Sequence, residues 1–219
     1  PWADQLASGR EVEAELRRMR ELFLRWNPST TMKCVIFEEN GNRHDMQRVL
    51  GHVTLQNAVR RMGDFVLTSC AANALQPYRQ NDNGWDQGQV FFTPSQVWGM
   101  PPYYAQQMAA AHHRPLTVGC GVEGADGVLD VTATRSREAG SVVLHIANTG
   151  AEPLRVGLRV DGMGKVSQAR MVSLSGDLDA VNTPEEPRRI APVGRELPAR
   201  AAQTVDIAPY SYTIVVLDE

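Results

Sequence analysis

The sequence predicts two architectures in one chain: α/β over residues 1–113 and an antiparallel β-sandwich over residues 114–219. Three observations predict it. In the first half, helical spacings of apolar residues alternate with short apolar runs, an α-β-α-β order that implies parallel strands. Past residue 114, short alternating segments recur about every ten residues between Gly, Asn and Pro turns, as in a sandwich. The composition is that of an ordinary globular chain of 219 residues, 42% hydrophobic and 21% charged, enough for one large domain or two small ones.

Each element has its own justification. Val12, Leu16, Met19, Phe23 and Trp26 recur at helical spacing over 11–26, with Glu11, Glu13 and Glu15 toward the positive end of the helix dipole. Asn27-Pro28-Ser29 stops that helix. Residues 33–39 read as a strand, about 44–61 as a helix with Met46, Val49, Leu50, Val53 and Ala58 on one face, and 65–70 as a second strand. A short strand at Val90-Phe91-Phe92 precedes a helix that Pro101-Pro102 opens and that runs to about His112. The clearest sandwich strands are Val128–Val131, Val142–Ile146, Leu154–Val160, Ala169–Leu174 and Tyr212–Leu217, with Asn148-Thr149-Gly150 as a turn between two of them.

A full eightfold α/β barrel takes about 250 residues. The first half has only two or three strands, and 33–39 and 65–70 would be left with open edges. It therefore reads as the last βα units of a (β/α)8 barrel, incomplete in this chain. The start at Pro1-Trp2-Ala3-Asp4 has neither an initiator Met nor a signal pattern and reads as a point inside a longer polypeptide; cytoplasmic and secreted locations both stay open.

Several function classes are excluded. A net charge of -3 with interspersed signs gives no nucleic-acid footprint, and no apolar stretch approaches a membrane span. Cys34, Cys70 and Cys120 have no metal-ligand spacing and read as buried free thiols. There is no Gly-rich phosphate loop and no nucleophile elbow. No cofactor and no metal are expected.

The chemistry-bearing feature is the pair Glu38-Glu39 at the C-terminal end of the first strand, where an α/β barrel exposes reactive groups. Alternation lets only one of the two face the lumen. Such a carboxylate can serve as nucleophile or acid/base in glycoside hydrolysis, or be a solvated acid. The loop Asn81-Asp82-Asn83-Gly84-Trp85-Asp86-Gln87-Gly88-Gln89 surrounds one indole with amides and carboxylates, which suits a sugar, and equally a plain surface loop. Its Asp82-x-Gly84-x-Asp86 spacing hints at calcium, but the other ligands of a calcium loop are missing. Asn73 and Gln76 lie just past the second strand, facing the same pocket or capping loop backbone. His44 either lines that pocket or begins the second helix.

At these residues a family resemblance appears. Val35-Ile36-Phe37-Glu38-Glu39-Asn40, Arg43-His44-Asp45, Ala71 to Pro77, Gly84-Trp85-Asp86-Gln87 and Pro101-Pro102-Tyr103-Tyr104 together resemble the C-terminal part of a glycoside hydrolase family 51 α-L-arabinofuranosidase. Asn182-Thr183-Pro184-Glu185 and Pro209-Tyr210-Ser211-Tyr212 resemble that family's C-terminal sandwich. The resemblance implies retaining hydrolysis of arabinofuranosides on plant polysaccharides or oligosaccharides, with Glu39 as nucleophile. Glu38 stays open as the alternative, because Asn40 stands where the family has an aromatic residue. It further implies substrate-binding roles for Gln87, Asn73 and Trp85. The acid/base would lie upstream of Pro1, on an N-terminal barrel portion that becomes the chain's partner, so that the chain alone is inactive. A homo-oligomer is possible in this reading. The competing readings are a non-catalytic carbohydrate-binding module and a structural fragment that completes a barrel or oligomer.

Overall fold

The computed structural model describes residues 2–219 except 40, 81–83, 85, 126 and 139. Its first half runs α1 (Trp2–Trp26), β1 (Cys34–Glu39), α2 (Met46–Arg61) and β2 (Val66–Ala71). β1 and β2 pair in parallel, as a βαβ order requires. Asp45 sets the start of α2 by accepting the Arg48 backbone N–H at 3.2 Å, which leaves His44 outside the helix. α1 begins at Trp2 rather than near Glu11. Gly9 allows that extension to lie against α2, since a Cβ there would stand 2.8 Å from Thr54 Oγ1. Glu13 consequently falls mid-helix and pairs with Arg17 at 2.6 Å and Arg61 at 2.8 Å, instead of serving the helix dipole.

The short strand expected at 90–92 is the middle of a small sheet of β3 (Leu75–Pro77), β4 (Val90–Phe92) and β5 (Val97–Gly99). Met100 then leads into α3 (Pro101–Ala111), whose opening prolines occupy positions where helix N–H groups have no partner to lose.

The second half contains β6 (Leu116–Val118), β7 (Leu129–Arg135), β8 (Ser141–Asn148), β9 (Leu154–Arg159), β10 (Gln168–Ser175), β11 (Val193–Leu197), β12 (Ala202–Ile207) and β13 (Ser211–Asp218). Six of these form one antiparallel sheet in the order β11-β10-β13-β8-β7-β6. β9 and β12 pair separately. The sandwich thus has one broad and one narrow layer.

The middle strands of the broad sheet are covered on both faces, which explains why β8 and β13 read as nearly unbroken apolar runs. Val142, Leu144, Ile146, Val215 and Leu217 pack with Leu158, Val205 and Ile207 of the narrow layer. Val143, Ala147, Leu174, Tyr212, Ile214 and Val216 pack on the other side against Met46, Val49 and Val53 of α2 and Tyr104, Ala105 and Met108 of α3. This second core joins residues from both sides of position 114. A smaller cluster of Leu16, Met62, Phe65 and Val66 seats α1 and α2 on the β1–β2 pair.

The three cysteines are free, but only Cys34 is half-buried; Cys70 and Cys120 are exposed, contrary to the expectation of buried thiols. Cys70 stands near the uncovered end of β2, and Cys120 lies in the loop after β6. Among the described residues, no helix is long and apolar enough to cross a membrane.

Candidate active site

The end of β1 departs from simple alternation. Cys34 and Ile36 pack toward α1 and α2, so strict alternation would turn Phe37 and Glu39 together to the other face. Instead the register shifts: Ile36 pairs with Ser69 and Glu39 with Ala71, three steps on β1 against two on β2. Irregularities of this kind re-aim side chains at strand ends. Phe37 and Glu38 are left exposed, and Glu39 is turned onto α2 with 6% of its surface accessible. The two glutamates do part, through the shifted register as well as the pleat.

Glu39 enters a polar network drawn from several elements. Its Oε2 accepts the hydroxyl of Ser69 on β2. Its Oε1 meets Nδ1 of His52, a fully buried residue on α2. Nε2 of His52 faces the carboxamide nitrogens of Gln106 on α3 and, at 3.2 Å, of Gln89 before β4. Arg48, four residues before His52, donates to the Glu39 carbonyl at 3.2 Å, and the Ala72 N–H donates to the same oxygen at 3.0 Å.

Burial alone would push the Glu39 carboxyl up. The contacts from His52 and Ser69 and the charge of Arg48 outweigh it and hold the group below its ordinary 4.5. Burial drives His52 below its ordinary 6.5, against the opposing pull of Glu39. At neutral pH the site is therefore a carboxylate beside a neutral imidazole, with the guanidinium of Arg48 as its positive charge.

The rim is built from loop residues. Asn42 clasps the segment that leads to β4, donating to the Gly84 carbonyl at 3.1 Å and accepting the Asp86 N–H at 2.6 Å. Gln76 donates to Asp86 Oδ1 at 3.1 Å and accepts the Gly88 N–H at 2.8 Å. Only glycine fits at position 88, because a Cβ would stand 2.4 Å from that of Gln76. His44 Nδ1 lies 3.0 Å from Asp86 Oδ1, so this histidine belongs to the rim and not to the helix.

Gln87 is buried within this clasped segment. Gln89, two residues further on, is the glutamine that reaches the Glu39 network. Asn73 is exposed and donates to the Leu75 carbonyl at 3.1 Å, a loop-capping contact, while its own carbonyl accepts the Gln89 N–H at 3.2 Å. Trp85, Asn40 and Asn81 to Asn83 lie outside the described residues, and with Asp82 goes the calcium reading. Among the described residues there is no cluster of three metal-ligating side chains. Sequence reasoning missed Arg48, His52, Ser69 and Gln106, and had Gln89 only as the last residue of the candidate loop. One signal was available: His52 falls between Val49 and Val53 on the apolar stripe of α2, where a polar residue needs a partner.

A buried, hydrogen-bonded carboxylate at a strand terminus, backed by a two-layered β region, is an arrangement suited to carbohydrate chemistry. The family model of the α-L-arabinofuranosidase C-terminal domain matches residues 31–211, and the chain belongs to that family. Solved structures agree in fold. The α-L-arabinofuranosidase from Thermotoga maritima, in complex with arabinose, superposes with a TM-score of 0.83 at 17% identity, covering 100% of this chain and 50% of its own. The thermostable family 51 enzyme from Thermotoga petrophila gives 0.83 at 16% identity, with coverages of 99% and 50%. The arabinose-bound family 51 enzyme MgGH51 gives 0.74 at 21% identity, with coverages of 81% and 28%. The chain thus spans half or less of the length of these structures. No curated protein matches the sequence. The family and fold together tie the chain to glycoside hydrolases.

Proposed function

We infer that the chain is the C-terminal portion of a retaining α-L-arabinofuranosidase, with β1 and β2 as the last strands of its (β/α)8 barrel and residues 114–219 as its sandwich. Glu39 is the nucleophile in this reading. Its carboxylate oxygen attacks the anomeric carbon of a terminal arabinofuranosyl unit on a plant polysaccharide or oligosaccharide. The aglycone departs with a proton from an acid/base on another barrel strand, about 5–5.5 Å across the scissile bond. Water then hydrolyses the glycosyl ester and returns a proton to that group. Gln87, Asn73 and Trp85 are the proposed sugar contacts.

The observation that carries the reading is the Glu39 carboxyl itself, held ionised at the C-terminal end of β1 in a chain of this family. The parallel pairing of β1 with β2 supports the barrel assignment, as does the clasped rim around Gln87. Glu38 remains the second candidate because it is the exposed member of the pair. A free-standing carbohydrate-binding module is less well supported: residues 114–219 contain two aromatics, Tyr210 and Tyr212, and Tyr212 is fully buried.

The test is hydrolysis of an aryl α-L-arabinofuranoside by the longer polypeptide that the reading requires. Glu39→Ala should lose activity about a thousandfold or more, and Glu38→Ala far less. Near-normal turnover by Glu39→Ala sinks the assignment, and the reverse ranking moves it to Glu38.

A further inference from the structure

The network behind Glu39 contains one residue whose chemistry is set by its neighbours on both sides. His52 is fully buried, with the Glu39 carboxylate against one ring nitrogen and two carboxamides against the other. A carboxylate oxygen can only accept, so Nδ1 must carry the proton where it meets Glu39 Oε1. A carboxamide nitrogen can only donate, so Nε2 must present its lone pair to Gln106 and Gln89. Gln106 comes from α3, whose Ala105 and Met108 are packed into the core against the broad sheet. The acceptor end of the imidazole is thus tied to a helix seated in the core against the broad sheet.

We propose that His52 is the positioning residue of the Glu39 carboxylate, locked by Gln106 and Gln89 as the Nδ1–H tautomer so that one carboxylate oxygen is always held by the same donor. The proposal rests on the reading of Glu39 as nucleophile. A donor on Oε1 and the Ser69 hydroxyl on Oε2 leave further lone pairs on each oxygen, because a carboxylate offers about four acceptor sites. The group is therefore oriented without being used up. The titratable and charged groups acting on Glu39 are His52 and Arg48, both on α2; from β2 the contact is the uncharged Ser69. Burial keeps the imidazole neutral, so it orients the anion without neutralising it. This is the division of labour by which a second residue orients a catalytic group in other sites.

Two variants separate the donor from the bulk of the ring. His52→Asn places an amide N–H close to the Nδ1 position, whereas His52→Leu fills the space with no donor. In the longer, active polypeptide, the acid limb of the kcat/KM profile should move up by about one to two pH units in His52→Leu, following loss of a hydrogen bond to a charged group. His52→Asn should return it most of the way. A merely structural role would lower activity at every pH and leave the limb in place. Labelling with an activated fluorinated arabinofuranoside and peptide mass analysis identifies the nucleophile separately. A label on Glu38 overturns the reading of Glu39. A label on Glu39 with an unmoved limb in His52→Leu overturns the role of His52 alone. Should His52→Leu not fold, the nitrogen-15 spectrum of His52 in the unsubstituted 219-residue chain still decides: the Nδ1–H tautomer is the expected result, and the Nε2–H tautomer or an imidazolium at pH 7 overturns the proposal.

Discussion

His145 on β8 is a second imidazole enclosed by the core, with Nδ1 2.8 Å from the hydroxyl of Tyr212 on β13. Burial drives its pKa down to about 2, from an ordinary 6.5. Above pH 6.5 the ring is neutral in both the folded and the unfolded chain and costs nothing. Below that value the unfolded chain gains a proton that the folded chain refuses, and stability falls by about 1.4 kcal/mol per pH unit. Glu39 contributes elsewhere on the scale: with its folded value lowered, its stabilisation is complete above the ordinary 4.5 and is lost as pH falls through the folded value. Between pH 6.5 and 5, acid sensitivity is therefore a histidine effect. Urea denaturation at pH 7 and pH 5 should show a shallower loss for His145→Gln than for the parent chain; equal losses would contradict the assignment.

Among the elements, α2 carries the widest set of obligations. It presents Met46, Val49 and Val53 to the broad sheet, Met62 just past its end to the cluster under α1, and His52 to Glu39. Its fully buried Asn57 ties it to the second half of the chain: Nδ2 donates to Asp130 Oδ1 at 2.9 Å, and Oδ1 accepts the Thr132 hydroxyl at 2.8 Å. Arg61 adds contacts to both Asp130 oxygens, at 2.9 and 3.2 Å. Asn57→Ala leaves the Thr132 hydroxyl buried without its acceptor and should cost about 2–4 kcal/mol, read as a lower midpoint in chemical denaturation. An unchanged midpoint would mean that the clasp contributes nothing.

The same elements show what was legible in the sequence. β7, β9 and β10 follow from their apolar alternation, β8 and β13 from short apolar runs between turns, and the βα order of the first half from helical spacing. β11 and β12 escape notice because Val193–Leu197 is mostly exposed and Ala202–Ile207 buries only Val205 and Ile207. The register shift that turns Glu39 onto α2 arises from pairing with β2 and leaves no mark in the residues of β1 itself. The meeting of His52, Gln89 and Gln106 stayed hidden because it depends on how α2 and α3 pack, not on any spacing along the chain. The place of Glu39 at a strand end was legible; the groups that α2, β2 and α3 bring to it were not.

For the molecule as a whole, the uneven covering of its sheets predicts behaviour in solution. The middle of the broad sheet is buried on both faces, whereas the β1–β2 pair leaves Phe37 84% and Leu67 65% exposed. A parallel pair with an open apolar face is a surface for association. The proposed occupant is the remainder of the barrel; without it the 219-residue chain should self-associate. Replacing Phe37 and Leu67 together by Ser should shift the chain toward monomer in sedimentation velocity, and an unaltered distribution would locate the contact elsewhere.

β13 has one more consequence. Last of the strands in chain order, it lies between β10 and β8 in the middle of the broad sheet. During synthesis its neighbours emerge first and must wait, unjoined, until Asp218 has cleared the ribosome. During that interval helices α2 and α3, made before it, lack the part of their core that Tyr212, Ile214 and Val216 supply. The core that seats α2 behind Glu39 is thus closed by the last strand of this sheet to be made, so premature termination within β13 should disturb the site along with the sheet.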